Sequence, residues 1–358
     1  MKKIVLTGGG TAGHVTPNLA LLPHLKQEGF EIFYIGSYEG IEKKLIEDYD
    51  IPYYGVATGK FRRYLDPKNF TDPFRVIKGY GEAKKILKEI KPDVVFSKGG
   101  FVSVPVVRAA ASLKIPCILH ESDMTPGLAN KLCLSAATKI CCNFPETVEM
   151  LPRDKAVLTG SPVREELFSG NKIAALEMCG FTANKPVIMV IGGSQGAASV
   201  NKVVRDALPM LLEDFQVVHL CGKDKMDNLL LNQPGYKQFE YLKSELKDIF
   251  AMADLVISRA GANAICELLT LNKPNILIPL PSSKSRGDQL LNARSFESQG
   301  YSMVIDEDDL TEHLLVQKVK ELYSSKETYM EAMKGSAQFN AIPTIMGIIH
   351  DMIKEDHE

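Results

Sequence analysis

Nowhere does this sequence hold an uninterrupted apolar run of about 18 residues, so no segment is predicted to span a bilayer. Met1-Lys-Lys-Ile-Val-Leu-Thr7 passes directly into a strand-like stretch and Gly8, without the apolar core of a signal peptide. An excess of either charge is missing too. With 42 Lys and Arg against 44 Asp and Glu, the formal net charge is -2, which argues against general nucleic-acid binding. The seven cysteines, at 117, 133, 141, 142, 179, 221 and 266, form no CxxC pair and no metal-ligand spacing. Such an odd, unpatterned set fits a reducing cytoplasm. Asp306-Glu-Asp308 reads as a polar turn with capping residues, so neither a metal nor a cofactor is expected. At 45% hydrophobic and 24% charged, the 358 residues describe a soluble globular chain long enough for two domains.

Lys3 to Thr7 reads as a first strand, followed by Gly8-Gly-Gly-Thr11-Ala12-Gly13-His14 where a helix should begin. A glycine-rich turn feeding a helix N-terminus is an anion cradle. The segment matches GxGxxG, yet a dinucleotide site also wants an acid at the end of the second strand. Here Glu31 to Ile35 runs into Gly36-Ser37 instead, and His14-Val15 replaces the Lys and Ser or Thr of a P-loop. Both common nucleotide motifs are disfavoured, and with them an NAD-dependent oxidoreductase.

An internal repeat sets the architecture. Asp93-Val-Val-Phe-Ser97-Lys98-Gly99-Gly100, a helix and Leu113-Lys-Ile-Pro116-Cys-Ile-Leu119 parallel Asp254-Leu-Val-Ile-Ser258-Arg259-Ala260-Gly261, a helix and Leu271-Asn-Lys-Pro274-Asn-Ile-Leu277. Strand Pro186 to Ile191 with Gly192-Gly-Ser194-Gln195-Gly196-Ala197 parallels the first strand and its glycine loop. Two α/β halves on one plan are predicted: 1–163 with about 341–358, and 164–340. From Gly8 to Asp93 is 85 positions and from Gly192 to Asp254 is 62, so the first half carries about 23 extra residues. That excess falls on residues 60–91, where ten Lys or Arg stand against four acids and Phe61, Tyr64, Phe70, Phe74 and Tyr80 are interleaved. A basic, aromatic, amphipathic insertion suits an anionic membrane surface; a solvated helix whose aromatics pack into the core is the alternative. Ile345, Ile349 and Met352 stand at helical spacing in the tail, a helix that must pack on something, the first half being the candidate.

Ser258 to Asn292 carries the densest site signal. A buried strand turns at Gly261 into a helix beginning near Asn263 and bearing Glu267, and a second strand, Asn275 to Leu280, runs into Arg286-Gly287-Asp288-Gln289. Loops at the carboxyl ends of parallel strands make a ligand crevice. A carboxylate and an amide there suit sugar or ribose hydroxyls, although Glu267 could equally complement a helix dipole and Gln289 be a solvated loop residue. Arg164, in the linker Leu158-Thr-Gly-Ser-Pro-Val-Arg164, is a candidate diphosphate clamp or an ordinary surface charge. Two facing halves suit a transferase whose diphosphate leaving group sits on the Gly192–Ala197 amides. His14 is then a candidate base, with Glu121 of His120-Glu121-Ser-Asp123 as its rival.

Gly8 to His14, Phe96-Ser-Lys-Gly-Gly-Phe-Val-Ser-Val-Pro105, His120-Glu121 with Pro126-Gly-Leu-Ala-Asn-Lys131, Gly192-Gly-Ser-Gln-Gly196, and Ser258-Arg-Ala-Gly261 to Glu267 together resemble one family. It is the bacterial N-acetylglucosaminyltransferase family that converts lipid I to lipid II in peptidoglycan synthesis, and the resemblance runs in order over nearly the whole chain. It implies a GT-B fold of two Rossmann-like domains with parallel sheets facing a central cleft, an acceptor site for lipid I in the first half and a UDP-N-acetylglucosamine site mainly in the second. It also implies inversion at the anomeric carbon and peripheral attachment to the cytoplasmic face of the membrane. Carried over motif by motif, Thr11, Ala12 and Gly13 approach the donor from the first loop, and Arg164 from the hinge. Ser194 lies by the diphosphate, Glu267 by the ribose hydroxyls and Gln289 by the N-acetylglucosamine hydroxyls, with Gln195, Ala262 and Asp288 as further substrate-binding candidates. Tyr241 or Leu242 lines the uracil. Family members often have Gly-Gly at Ala12-Gly13, Gln-Gln at Asp288-Gln289, and Asn at Asp123, where an ionised acid accepts only. Same-fold alternatives are another glycolipid-forming transferase and a UDP-N-acetylglucosamine 2-epimerase.

Overall fold

The computed structural model describes residues 2–59, 68–193, 196–283, 287–339 and 341–355, the side chains of 68–73 and 354–355 excepted. The chain divides into two compact units, Met1–Arg164 with Asn340–Glu358, and Glu165–Phe339. Unit 1 is built on β1 (Lys3–Thr7), β2 (Glu31–Ser37), β3 (Tyr53–Val56), β4 (Val94–Ser97), β5 (Cys117–Glu121), β6 (Lys139–Cys142) and β7 (Ala156–Leu158). Unit 2 is built on β8 (Val187–Ile191), β9 (Gln216–Leu220), β10 (Tyr236–Phe239), β11 (Leu255–Ser258), β12 (Asn275–Leu277) and β13 (Met303–Val304). The sheet orders, β3-β2-β1-β4-β5-β6-β7 and β10-β9-β8-β11-β12-β13, repeat one doubly wound plan, and each described pairing is parallel.

The repeat extends to side chains. Asp93 accepts a 2.6 Å hydrogen bond from the Lys3 amide, and Asp254 accepts a 2.9 Å bond from the Val187 amide. Each acid stands before the strand that crosses to the far side of its sheet and satisfies the first strand's leading N–H. Continuous apolar runs form the strands because both faces of a parallel sheet are covered. Val94, Val95 and Phe96 are fully buried, as are Val256 and, nearly so, Ile257.

The excess of unit 1 lies between β3 and β4, where helix Lys68–Ile90 has 23 residues, whereas helix Leu246–Met252, at the same place in unit 2, has seven. Ala83, Leu87 and Ile90 of the long helix enter the core, while Phe74 and Ile77 stay 74% and 69% exposed. Tyr80 packs against the core instead of sharing that exposed face. Lys60, Phe61 and Tyr64 lie outside the described residues, as does the side chain of Phe70. Helix Ala341–Glu355 returns to unit 1 and buries Ile345, Ile349 and Met352 against Leu19, Leu22 and Leu25. Two boundaries differ from expectation. Helix Ala262–Thr270 starts one residue before Asn263, with Gly261 and not Asn263 as its N-cap. The strand expected to reach Leu280 ends at Leu277, because Pro279 and Pro281 have no N–H to continue a ladder.

Two fully buried imidazoles make the fold acid-sensitive. His219 Nε2 lies 3.0 Å from Asn201 Oδ1, and its Nδ1 lies 2.9 Å from the Tyr236 hydroxyl. His120 Nε2 lies 2.9 Å from the Gly160 carbonyl, which only accepts, and Nδ1 lies 2.8 Å from Lys98 Nζ, which only donates, so Nε2 bears the proton. Burial pushes His219 down to about 3, with Arg205 adding to the effect, and burial followed by Lys98 pushes His120 well below its ordinary value. The unfolded chain therefore takes up protons first as pH falls through about 6.5. Urea unfolding is expected to show about 2 kcal/mol of stability lost per buried imidazole between pH 7 and 5. An unchanged midpoint across that window would contradict these protonation states.

Candidate functional site

In unit 2 the register sets three loops side by side. Ser258 pairs with Ile191 and with Leu277, so β8, β11 and β12 end level at the point where the strand order reverses. This is the topological switch point at which doubly wound sheets bind ligands. After β8, Gly193 and Gly196 take φ of 81° and 67°, and a side chain on Gly196 would collide with the Cys221 carbonyl. The loop thus curls tightly into helix Ala198–Asp214, whose N-cap, Ala197, makes no side-chain hydrogen bond among the described residues. Ser194 and Gln195 lie outside the described residues.

After β11, Arg259 donates at 3.0 Å to the Ile278 carbonyl and pairs at 2.5 Å with Glu307, both side chains nearly buried. It ties the second loop to the third. Ala262 is buried at the start of the next helix and Glu267 is half-buried on it. After β12, Gly287 (φ 82°) opens helix Asp288–Ser298, and Gln289 Oε1 accepts a 3.0 Å bond from the Leu280 amide. That bond orients the side chain with its NH₂ as the group left to donate. Buried Asn292 donates at 3.3 Å to the Ala260 carbonyl, bringing the Gln289 helix against the loop that leads to Glu267. Asp288 is half-buried in the same first turn, and Leu242 is half-buried just past β10 beside an exposed Tyr241. A cavity of about 610 Å³ between helix Ala198–Asp214 and residues 225–228 is lined by Asn201, Lys202, Arg205 and Asp227, and holds none of the residues expected from sequence.

In unit 1, β1 and β4 likewise end level, through Thr7 with Ser97, while β5, whose Leu119 pairs with Ser97, runs on to Glu121. Thr11 and Ala12 are exposed; Gly13 and His14 are half-buried. A short helical turn, Ala12–His14, sets His14 Nδ1 3.0 Å from Thr11 Oγ1. The imidazole is held down to about 4, first by burial and then by the Lys98 charge, while a bond to the Gly9 backbone and the Glu42 charge act the other way. Arg164 is half-buried at the end of the unit's first stretch.

Glu121 is placed differently from His14. Its Oε1 accepts from the Ser122 and Asp123 amides at 2.9 and 3.2 Å, and its Oε2 from the Gly127 amide and Asn130 Nδ2 at 2.9 and 2.8 Å. Four donors fill a carboxylate's lone pairs. Burial still raises its pKa above the ordinary value. The carboxylate organises the 122–127 loop, which carries half-buried Asp123.

Two residues escaped the sequence reading. Lys98 is 1% exposed, with its ammonium against His120 and Ser122. Glu42 is fully buried, and its carboxylate accepts from the Gly10 amide at 3.1 Å, the Ser37 amide at 3.0 Å and the Ser37 hydroxyl. A side chain on Gly9, Gly36 or Gly40 would collide with Glu42, although none of the three has a left-handed φ. Those glycines are there for space, and their clustering around Glu42 was the available signal.

The glycosyltransferase family 28 N-terminal domain matches residues 4–142, and the glycosyltransferase family 28 C-terminal domain residues 187–345. The UDP-N-acetylglucosamine--N-acetylmuramyl-(pentapeptide) pyrophosphoryl-undecaprenol N-acetylglucosamine transferase of Lachnoclostridium phytofermentans is 63% identical, over 98% of this chain and 99% of its own length. A Clostridium botulinum protein of the same description is 55% identical over 99% of this chain and 100% of its own. Among solved structures, Acinetobacter baumannii MurG matches with a TM-score of 0.77 at 27% identity, over 98% of this chain and 100% of that one. A putative UDP-N-acetylglucosamine 2-epimerase from Listeria monocytogenes matches at 0.72 with 12% identity, over 99% and 98%, a likeness of fold alone.

Proposed function

The chain belongs to glycosyltransferase family 28 and has its two-domain GT-B fold, and from that premise we propose that it transfers N-acetylglucosamine from UDP-N-acetylglucosamine to the muramoyl 4-hydroxyl of lipid I, with inversion, forming lipid II. The observation that carries this reading is identity of 63% over 98% of the chain to a relative described by that donor and acceptor. Unit 2 is the donor side. The diphosphate rests at the N-terminus of helix Ala198–Asp214, whose amides and partial positive charge stabilise the departing UDP in place of a metal. Ser194 and Gln195 join it there, Ala262 and Glu267 take the ribose, Leu242 the uracil, and Asp288 with Gln289 the sugar hydroxyls.

Unit 1 is the acceptor side. His14 Nδ1 is taken up by the Thr11 hydroxyl at 3.0 Å, which leaves Nε2 as the nitrogen to serve the acceptor. It takes the proton of the muramoyl hydroxyl as that oxygen bonds to the anomeric carbon and the bond from that carbon to the UDP oxygen breaks. Thr11, Ala12 and Gly13 approach the donor from the first loop, Asp123 is a further substrate contact, and Arg164 steadies the diphosphate. His14 is preferred to Glu121 because the Glu121 lone pairs are already taken by four donors.

Incubation with UDP-N-acetylglucosamine, with and without a short-chain lipid I analogue, tests the whole reading. UDP release that needs the analogue, with a disaccharide-lipid product, is expected; release without acceptor, or epimerised sugar, would overturn it.

No helix among the described residues is long and apolar enough to cross a membrane. Peripheral attachment at the cytoplasmic face, through residues 60–91, is supported by the exposure of Phe74 and Ile77 on a basic helix. Burying two such side chains is worth about 1.5–3 kcal/mol each. The double variant Phe74→Asp, Ile77→Asp is therefore expected to bind anionic vesicles at least about tenfold more weakly in flotation, with an unchanged circular dichroism spectrum. Equal flotation would remove the helix from the membrane contact.

A further inference from the structure

The segment that leads to Arg164 is tied into unit 1 by a buried line of side chains for which the proposed chemistry has no use. Gly160 (φ 74°) turns the backbone after β7, and the Gly160 and Thr159 amides both donate to the Cys142 carbonyl, at 3.1 and 3.0 Å. The Gly160 carbonyl is met by two groups, the Thr159 hydroxyl, which donates to it at 2.9 Å, and His120 Nε2, also at 2.9 Å. Thr159, Ser161 and Val163 are buried around it, so the segment is packed along its length, and Arg164 follows Gly160 by four positions.

His120 stands near the end of β5, and its Nδ1 accepts from the Lys98 ammonium at 2.8 Å. Lys98 begins the loop after β4 and also donates to the Ser122 hydroxyl, in the loop that carries Asp123. An ammonium only donates and a carbonyl only accepts, so the neutral ring between them has one place for its proton, Nε2. The other tautomer would set an N–H against the ammonium and a lone pair against the carbonyl. The duplicated unit shows what is added here. In the internal repeat Lys98 corresponds to Arg259, and His120, next after Leu119, corresponds to Ile278, next after Leu277. Arg259 donates directly to the Ile278 carbonyl at 3.0 Å, and the Ile278 side chain is apolar and buried. Unit 1 keeps the cation and replaces that apolar side chain by an imidazole, which carries the connection on to Gly160. Both Lys98 and His120 are buried, so neither meets a substrate, and each acts through what it holds. We propose that His120 is a positioning residue for the donor diphosphate: with Lys98 setting its tautomer, it anchors the Gly160 carbonyl and thereby fixes where Arg164 stands on unit 1.

The inference rests on Arg164 contacting the diphosphate, and its test separates the two. Binding of UDP to the full-length protein, measured by calorimetry, needs no acceptor. His120→Asn keeps a group for Lys98 but is too short to reach the Gly160 carbonyl, whereas His120→Gln brings an amide NH₂ to the place of Nε2. His120→Asn is expected to bind UDP about tenfold more weakly, and His120→Gln to recover most of that loss. Arg164→Met is expected to bind UDP about 10- to 100-fold more weakly, and adding His120→Asn to it to change almost nothing further. In initial rates the KM for UDP-N-acetylglucosamine should follow the UDP affinity, with kcat changed less. With ¹⁵N-labelled histidine, the parent's His120 ring is expected to show the Nε2-protonated pattern, a readout that depends on no variant folding. Nδ1 protonation, or losses from His120→Asn and Arg164→Met that add in the double variant, would overturn the positioning role and leave the Arg164 contact standing. UDP affinity unchanged by Arg164→Met would overturn that contact, and the positioning role with it.

Discussion

Replacing His14 by alanine is expected to lower kcat by about 10²- to 10⁴-fold while leaving the KM for UDP-N-acetylglucosamine nearly unchanged. The split follows from placement: His14 is on the first loop of unit 1, whereas Glu267 and Gln289 are on the loops of unit 2. The pH profile adds an independent check. Burial and Lys98 hold the free imidazole down to about 4. A base works only when unprotonated, so the acidic limb of kcat/KM, which reports the free enzyme, is expected near pH 4 instead of the 6.5 of an ordinary histidine. A bound diphosphate favours the imidazolium and raises that value, so the limb of kcat is expected at higher pH than the limb of kcat/KM. Lys98→Met removes a cation and should move both limbs upward. Initial-rate measurements from pH 4 to 8 decide it; near-normal turnover of His14→Ala would return Glu121 to consideration.

What could be read in the sequence was whatever is carried by neighbours in the chain. Apolar runs ending in glycine, repeated at Asp93 and Asp254, revealed two parallel-sheet units, and the shared Asp-to-amide bonds show why the acids recur. The glycine turns after β1, β8 and β11 were legible because each follows its strand directly. Glu42 was not. Its partner Gly10 is 32 positions away, and only the β1–β2 register brings the two together. The missing acid after Ile35 was therefore read as an absence, when the acid was six residues beyond Gly36 and pointing back. Glu121 shows the same limit from the other side, since the four donors around a carboxylate at a strand end cannot be counted from the sequence. A residue's address was legible, but its hydrogen-bond partners were not.

Glu267→Ala is expected to raise the KM for UDP-N-acetylglucosamine by about 10- to 100-fold at similar kcat, as for loss of a hydrogen-bonded charged group worth about 1.5–3 kcal/mol. The fold should tolerate the change. Glu267 is half-buried within helix Ala262–Thr270, and alanine is the better helix former there. Its backbone carbonyl still accepts from the Leu271 amide at 2.8 Å, so the helix C-terminus is unaffected. A donor analogue assigns the lost contact to the ribose. If the carboxylate accepts from the ribose hydroxyls, a 2′-deoxy donor should bind the parent enzyme more weakly than UDP-N-acetylglucosamine does, and Glu267→Ala should no longer distinguish the two, because the discriminating group is gone. Calorimetric titration of UDP and 2′-deoxy-UDP into both proteins measures this without an acceptor. An unchanged KM in Glu267→Ala would take Glu267 out of the donor site, and a raised KM with discrimination intact would move its contact from the ribose to another part of the nucleotide.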